Sequence, residues 1–589
     1  MLQQYWQGLP SVFRSRLLHG SAGSFQRMRL ASLALAEAVP STASPEAGAA
    51  GRQGINPVML ATGRELLLAA LEDDPLNGDL ARQVLGVDRQ APWLDSATRT
   101  ALLELAAAFA RPDNLRYFQR LAQQGEYAKI MSYLDGERAK APENAYWLQQ
   151  VLAVGELAGE PAWALEHVRR HWPASLAQGN LLAVAAEAHL LAVMGLHDEA
   201  LERSAGHDAV APGRFLLAAE RRAHSLCMSG RAAEAQQLWG RILAVRPWHV
   251  NLLCRLHDSL KGYAKLGGSA SLADSGGLAG SDGQHILHGR TAALLYSWNK
   301  ADDLNNALQS LAPSADGLCT ILALNNGSTD GTGAVIDAWA DRLGGRMQAV
   351  HLPVNIGAPA ARNWLKNMPE LETAEYVAYL DDDAILPPDW LAHMARAVEV
   401  YPEASVWGGK IIDHAAPHII QSADLHLVMA GGSDDEINAE FRPTRAHAVP
   451  FNVSDIHAQV ADCGGFDYIR PCISVTGCCR LFRRADLMAC GDFSLSLSPS
   501  QYDDLEHDLR MASKGMHCAY TGFLPVGHMK RTGKAVRMSA AQFGNGLGNK
   551  FKLHAMYPRE EIERLMDFET TLLEQDLLRK AALLDTFAA

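Results

Sequence analysis

Four glycines, Gly125, Gly159, Gly195 and Gly230, recur along the first half of the chain at steps of 34, 36 and 35 residues. The surrounding sequence is rich in Ala, Leu, Glu, Gln and Arg, with apolar residues at helical spacing and few β-branched runs. Other positions keep the same period. Pro142, Pro212 and Pro247 each follow a glycine by 17 residues, and Ala164, Ala200 and Ala235 each follow one by five. A helix pair of this length cannot bury its own apolar face, so successive pairs must stack and share one core. An irregular helical bundle gives no reason for four turns to fall on one period.

The clearest copy runs Ser229-Gly230-Arg231-Ala232-Ala233-Glu234-Ala235, followed by Trp239 and Pro247. A small residue at the turn, another where two helices touch, an aromatic filler and a terminating proline resemble the tetratricopeptide pattern. That resemblance implies an all-α solenoid over 56–262, whose concave face recruits an acceptor or partner protein or which acts as a spacer. Residues 1–55, with Pro40-Ser-Thr-Ala-Ser-Pro45, are expected to be poorly ordered. The Gly- and Ser-rich stretch 263–284 reads as a linker.

At 589 residues the chain exceeds one core. A net charge of −13 without a Lys/Arg block argues against a nucleic-acid partner. Leu181–Leu196, the most apolar long run, is broken by Glu187 and His189 and falls short of the roughly 20 residues that span a bilayer. Arg14, Arg16, Arg27 and Arg29 precede a short run, Leu30–Leu35, that Glu37 ends, a poor signal peptide. The nine cysteines contain no CxxC pair, which points to buried thiols, a reducing compartment and a cytoplasmic protein. Zinc binding by Cys463, Cys472, Cys478 and Cys479 is the weaker alternative.

After the linker, short apolar runs alternate with helical stretches, the pattern of an α/β domain. Strands are expected at Thr291–Tyr296, Cys319–Leu324, Met347–Leu352 and Tyr376–Leu380, with helices at Asp302–Leu311 and Gly333–Leu343. The first three strands end in polar clusters, which an open parallel sheet would gather at its carboxyl edge. The fourth ends in Asp381-Asp382-Asp383. Three adjacent carboxylates repel one another unless a cation compensates, and hard oxygen ligands suit Mg²⁺ or Mn²⁺.

From about Ala292 to His528 the sequence resembles the family 2 glycosyltransferases of the GT-A fold, a Rossmann-like α/β architecture. Four segments carry the resemblance in order: Asn325-Asn326-Gly327-Ser328-Thr329-Asp330-Gly331-Thr332, Asn355-Ile356-Gly357 through Arg362-Asn363, Asp381-Asp382-Asp383, and Tyr502-Asp503-Asp504-Leu505-Glu506-His507-Asp508-Leu509-Arg510. It implies a catalytic domain over 285–555 that takes a nucleoside-diphosphate sugar as donor. Asp504 would be the general base of an inverting displacement. Asp383, Asp381 and His528 would hold the divalent metal. The donor would meet Ser297, Asn299, Asn325, Asn326, Asp330, Asn355, Gly357, Arg362, Asp381 and Asp382. For Arg362, a buried salt bridge to the acidic loop is an equal alternative.

Asn325 and Asn326 stand where relatives commonly carry an Asp, which leaves the nucleotide base open. Gly477, in Ser474-Val475-Thr476-Gly477-Cys478-Cys479, would let a substrate approach the backbone. The insert 414–462, with Gly431-Gly432-Ser433-Asp434-Asp435, shows little strand pattern. Residues 556–589 read as an amphipathic helix that packs on the catalytic domain rather than on a membrane. The rival from another class is a scaffold with an inactive transferase-like domain, against which the retained acidic cluster weighs. A sugar-nucleotide pyrophosphorylase would need a glycine-rich loop where Tyr296-Ser297-Trp298-Asn299-Lys300 stands.

Overall fold

The computed structural model of the chain describes residues 1–38, 55–176, 180–264, 287–429, 451–454, 456–530 and 540–587. The chain divides into two compact units. One comprises Met1–Leu260, Gln459–Gly465 and Leu577–Ala589, and the other Lys261–Ala458 and Phe466–Asp576. Most of the linker 263–284, the stretch Pro40–Pro45 and Gly431–Asp435 lie outside the described residues.

Fifteen helices, from Leu2–Gly8 to Val250–Leu260, build the Met1–Leu260 part of the first unit among its described residues. The periodic glycines do one job four times. Gly125, Gly159, Gly195 and Gly230 all have φ between 66° and 79°, the left-handed region that glycine adopts without a Cβ penalty. At each, the glycine N–H and the next N–H turn back to carbonyls of the helix just ended. The bonds at Gly159 are Gly159 N to Glu156 O (3.1 Å) and Glu160 N to Gly155 O (2.7 Å). This cap satisfies orphan carbonyls and reverses the chain within two residues. Ala164, Ala200 and Ala235 are fully buried, and a methyl on Gly155 would lie 2.7 Å from Ala164 Cβ. Those positions are small because helices meet there.

The segment 1–55 departs from expectation. Its first 38 residues form helices Leu2–Gly8, Ser11–Leu18 and Ser24–Ala38. Trp6, Phe13, Leu17 and Leu18 are buried, and buried Arg27 pairs with Asp73 at 3.1 Å. The apolar residues of these short helices give them a face to bury, which a composition argument based on Pro40–Pro45 overlooked.

The second unit is built on a mixed sheet. Its strands are β1 (Thr291–Ser297), β2 (Thr320–Asn326), β3 (Met347–Leu352), β4 (Tyr376–Leu380), β5 (Ala384–Ile385), β6 (Val406–Asp413), β7 (Ile420–Ser422), β10 (Ile469–Cys472), β11 (Cys479–Arg483) and β12 (Cys518–His528); β8 (Leu427–Met429) and β9 (Phe451–Val453) form a separate hairpin. The main order is β10-β12-β6-β11-β4-β1-β2-β3. β3, β2, β1 and β4 run parallel, whereas β11 lies antiparallel between β4 and β6. The sheet is therefore mixed rather than purely parallel. β1 and β2 are buried almost throughout, as their continuous apolar runs require. The core beneath them holds Trp390, Trp407, Leu304, Leu308, Ile321 and Ile336.

Strand order reverses between β1, which leads outward to β2 and β3, and β4 on its other side. At such a switch point two loops diverge and leave a crevice at the carboxyl edge. The insert 414–462 contributes β7, β8 and β9, contrary to expectation, because strands of three residues are too short to show alternation. The helix Arg559–Phe587 buries Ile562, Leu565 and Leu573, and its Glu569 bonds His426 Nδ1 at 2.8 Å.

Candidate active site

The site lies where β1 and β4 end side by side, with Leu295 opposite Leu380. Ser297 closes β1 and donates its hydroxyl to Asp382 Oδ2 at 2.7 Å. Three residues past Ser297, Lys300 reaches Asp382 Oδ1 at 2.8 Å and Asp383 Oδ2 at 2.7 Å. The remaining oxygen of Asp383 faces His528 Nε2 at 3.2 Å. Burial raises the Asp382 carboxyl above its ordinary range, although Lys300 and Ser297 oppose this. At Asp383 burial is outweighed by His528 and Lys300, which hold the carboxyl below its ordinary range.

β12 delivers His528 by way of a bulge. Its pairing with β6 slips between Thr521 and Pro525, which accommodates a proline inside a strand, and then resumes to place His528 opposite Ala384 and Asp413. His528 Nδ1 lies 2.8 Å from Gln421 Oε1. A carbonyl oxygen only accepts, so Nδ1 carries a proton there, and Nε2 is the ring nitrogen that faces the acidic cluster. Asp381, Cys478 and His528 offer ligand atoms within 4.8 Å of one another, the sole such group of three found among the described residues. Carboxylates with an imidazole nitrogen fit a borderline divalent ion such as Mn²⁺. Of the four cysteines weighed for zinc, only Cys478 joins such a group among the described residues.

The second acidic motif opens the helix Asp503–Ala512. Asp503, Asp504 and Glu506 occupy its first turn, where the helix dipole favours negative charge. The residues that lead into it, Gln501 and Tyr502, have φ of 81° and 68°, left-handed values that cost a side-chain-bearing residue energy. Arg362 ties the two acidic motifs together. Its Nη1 donates to buried Asp503 Oδ2, while Nη2 lies 3.9 Å from Asp381 Oδ1. The guanidinium also sits 5.5 Å from the ring centres of Tyr296 and Phe493. Of the two readings of Arg362, its geometry is that of the salt bridge.

Gly477 sits against this junction. A Cβ there would lie 2.9 Å from Asp504 Oδ2 and 3.2 Å from Arg362 Nη2. The space it leaves is thus filled by these two side chains. Nearby, Asp508 bonds Ser474 Oγ at 2.6 Å and pairs with Arg480; burial, opposed by Arg480, pushes its carboxyl up to about 6.

The asparagines expected to meet the donor are engaged in bracing loops. Asn325 Oδ1 accepts from Ser328 N (2.9 Å), Asn326 Oδ1 from Ile356 N (3.0 Å), and Asn355 Oδ1 from Gly357 N (2.8 Å). Asn299, at φ 53°, accepts from Thr329 N at 2.8 Å. Asp330 caps the helix Thr332–Leu343 through Thr332 N at 2.9 Å. Gly357, at φ 84°, starts the helix that carries Arg362. These residues shape the rim beside the carboxyl ends of β1 and β2. Lys300 and Gln421 were not singled out from the sequence as site residues, and Cys478 only as an alternative zinc ligand. A lysine directly after β1 was the one visible signal, and its partners lie more than 80 residues away.

Residues 294–458 match the family described as Glycosyl transferase family 2. No curated protein matches the chain. Among solved structures, one of GalNAc-T7 with UDP, GalNAc and Mn²⁺ is 11% identical over 46% of this chain and 48% of its own, with a TM-score of 0.34. The mannosyltransferase PcManGT from Pyrobaculum calidifontis with GDP-Man and Mn²⁺ is 16% identical over 60% and 86%, with a TM-score of 0.31. S. aureus TarS 1-349 is 15% identical over 40% and 60%, with a TM-score of 0.26. The chain thus spans about half the length of the first of these and 60% of the last.

Proposed function

We propose that the chain, which carries a Glycosyl transferase family 2 domain at 294–458, is an inverting, metal-dependent glycosyltransferase acting on a nucleoside-diphosphate sugar. The observation that carries this reading is the convergence of Asp381 and Asp504, 123 positions apart, around Arg362 and Gly477. A family match alone leaves the chemistry open. A carboxylate beside a second, cation-binding acidic cluster supplies the two functions that a displacement at an anomeric carbon needs.

Asp504 is the base in this reading. Its carboxylate takes the proton of the acceptor hydroxyl as that oxygen bonds to the anomeric carbon. The bond from that carbon to the phosphate oxygen breaks, and the nucleoside diphosphate leaves with the electron pair. Attack opposite the leaving group inverts the anomeric centre. Asp383, Asp381 and His528 would hold Mn²⁺ or Mg²⁺, which supplies charge neutralisation to the leaving diphosphate. Arg362 fixes Asp503 and so the first turn from which Asp504 projects. Asn299, Asn325, Asn326, Asn355, Asp330 and Gly357 hold the loops against which the nucleotide lies, with Ser297 and Asp382 at its floor.

In the first unit, the four glycine-capped helix pairs and their buried alanines support a tetratricopeptide-like solenoid that recruits an acceptor or partner protein. The nine free cysteines suit a reducing compartment, the cytoplasm in this reading. Among the described residues no helix is long and apolar enough to cross a membrane.

The test is donor turnover. The full chain is mixed with UDP- and GDP-sugars and Mn²⁺, nucleoside diphosphate release is followed, and the first-formed sugar anomer is read by proton NMR. Release with inverted configuration, lowered at least about 100-fold in Asp504→Asn, is expected. Retained configuration, or release unchanged in the variant, contradicts the reading.

A further inference from the structure

Among the described residues Lys300 is the one lysine or arginine that touches the acidic trio's second and third members, at 2.8 and 2.7 Å from Asp382 Oδ1 and Asp383 Oδ2. The other oxygens of the pair are also engaged, Asp382 Oδ2 by Ser297 Oγ at 2.7 Å and Asp383 Oδ1 by His528 Nε2 at 3.2 Å. Asp383 thus has no carboxylate oxygen without a partner. An ion that binds Asp383 must insert beside His528, which can itself become a ligand, or displace Lys300, which cannot.

An ammonium and a divalent cation on one carboxylate repel each other strongly at this range. Lysine is a compact charge on a flexible stem, and the Lys300 side chain is 35% exposed, so it can swing away. Once it leaves Asp383, its charge needs another anion. Asp382 alone keeps it within the same cluster. A diphosphate arriving over the ends of β1 and β4 offers new anionic oxygens to the lysine and to the ion together.

We propose that Lys300 is the resident cation of this site. With no donor bound it neutralises Asp382 and Asp383 and holds the divalent ion off. When donor and ion enter together it transfers to the diphosphate. This rests on the metal-dependent transferase reading. It makes metal and nucleotide binding strongly cooperative, and linkage requires the effect to be equal in both directions. It also distinguishes Lys300 from a lysine that merely screens nearby carboxylates, which would leave the coupling between the two ligands untouched.

The experiment measures Mn²⁺ binding by electron paramagnetic resonance on the full chain, with and without UDP or GDP, after subtraction of protein-free nucleotide complexes. Wild type, Lys300→Gln and Lys300→Arg are compared, with the unfolding midpoint of each as a check on folding. Wild type should bind Mn²⁺ weakly alone and at least about tenfold more tightly with a nucleoside diphosphate. Lys300→Gln should bind Mn²⁺ alone about tenfold more tightly than wild type and lose most of the coupling, while Lys300→Arg keeps the wild-type pattern. Equal Mn²⁺ affinity of wild type and Lys300→Gln without nucleotide overturns the resident-cation role and leaves the metal site standing. No Mn²⁺ binding by any of the three proteins, with or without nucleotide, overturns the metal site and this inference with it.

Discussion

Substituting Gly477 by alanine separates the chemistry of the site from the stability of the fold. Gly477 is not among the residues of positive φ, so its backbone accepts a side chain. The added Cβ would lie 2.9 Å from Asp504 Oδ2 and 3.2 Å from Arg362 Nη2, where ordinary contact begins near 3.4 Å. Asp504 Oδ2 must therefore retreat by about 0.5 Å, and Arg362 by a few tenths. Both atoms end flexible side chains, so the fold yields at little cost, and loss of glycine entropy from the unfolded chain offsets part of that. A base displaced by half an ångström is a different matter, since misplacement of about 1 Å costs roughly 100-fold in rate. A loss of about 10- to 100-fold in kcat follows, or about 1.4–2.7 kcal/mol of barrier. The assay pairs donor turnover at saturating UDP- or GDP-sugar with the thermal midpoint. Gly408→Ala is the contrast, because its Cβ would meet Val475 Cβ at 2.5 Å in the middle of the sheet and should lower the midpoint itself. If Gly477→Ala turned over at the wild-type rate, or melted as early as Gly408→Ala, the reasoning would be refuted.

Two further outcomes are expected. Arg246 is fully buried among Glu65 (3.3 Å), Glu72 (2.5 Å) and Glu220 (3.2 Å), so Arg246→Met strands carboxylates without their cation. It should destabilise the helical unit by about 3–5 kcal/mol, read from urea unfolding. Burial holds His457 down to about 4, while the unfolded chain protonates it near its ordinary value of about 6.5. Between those values the unfolded state binds more protons, so stability falls as pH falls. The slope reaches about 1.4 kcal/mol per pH unit, and His457→Gln should flatten it in urea unfolding between about pH 6.5 and 5.

What could be read from the sequence was what local chemistry dictates. A left-handed cap all but requires glycine, so the four turns of the helical unit announced themselves. Asp381–Asp383 were legible because three adjacent carboxylates after an apolar run demand compensation. Non-local partners were not legible. Lys300 matters only because β1 and β4 are neighbours, a relation the chain order β1-β2-β3-β4 conceals. Gln421 lies in an insert whose three-residue strands leave no alternation to detect. The amides of Asn325, Asn326 and Asn355 carry donor and acceptor alike, so their residue type does not say whether they face a ligand or, as here, a loop. Gly477 was read as room for a substrate, yet Asp504 and Arg362 take up that room.

The most direct test of the central claim is the thermal midpoint of the full chain against UDP-, GDP-, dTDP- and CMP-sugars, with Mn²⁺ or with EDTA, beside Asp383→Asn. A donor at about 100 times its Kd adds about 2.7 kcal/mol, worth about 4–6 °C for the transition of the sheet unit. The account predicts such a shift with one nucleotide class, in Mn²⁺ only and absent from Asp383→Asn. A flat midpoint with every donor, with and without metal, would contradict it.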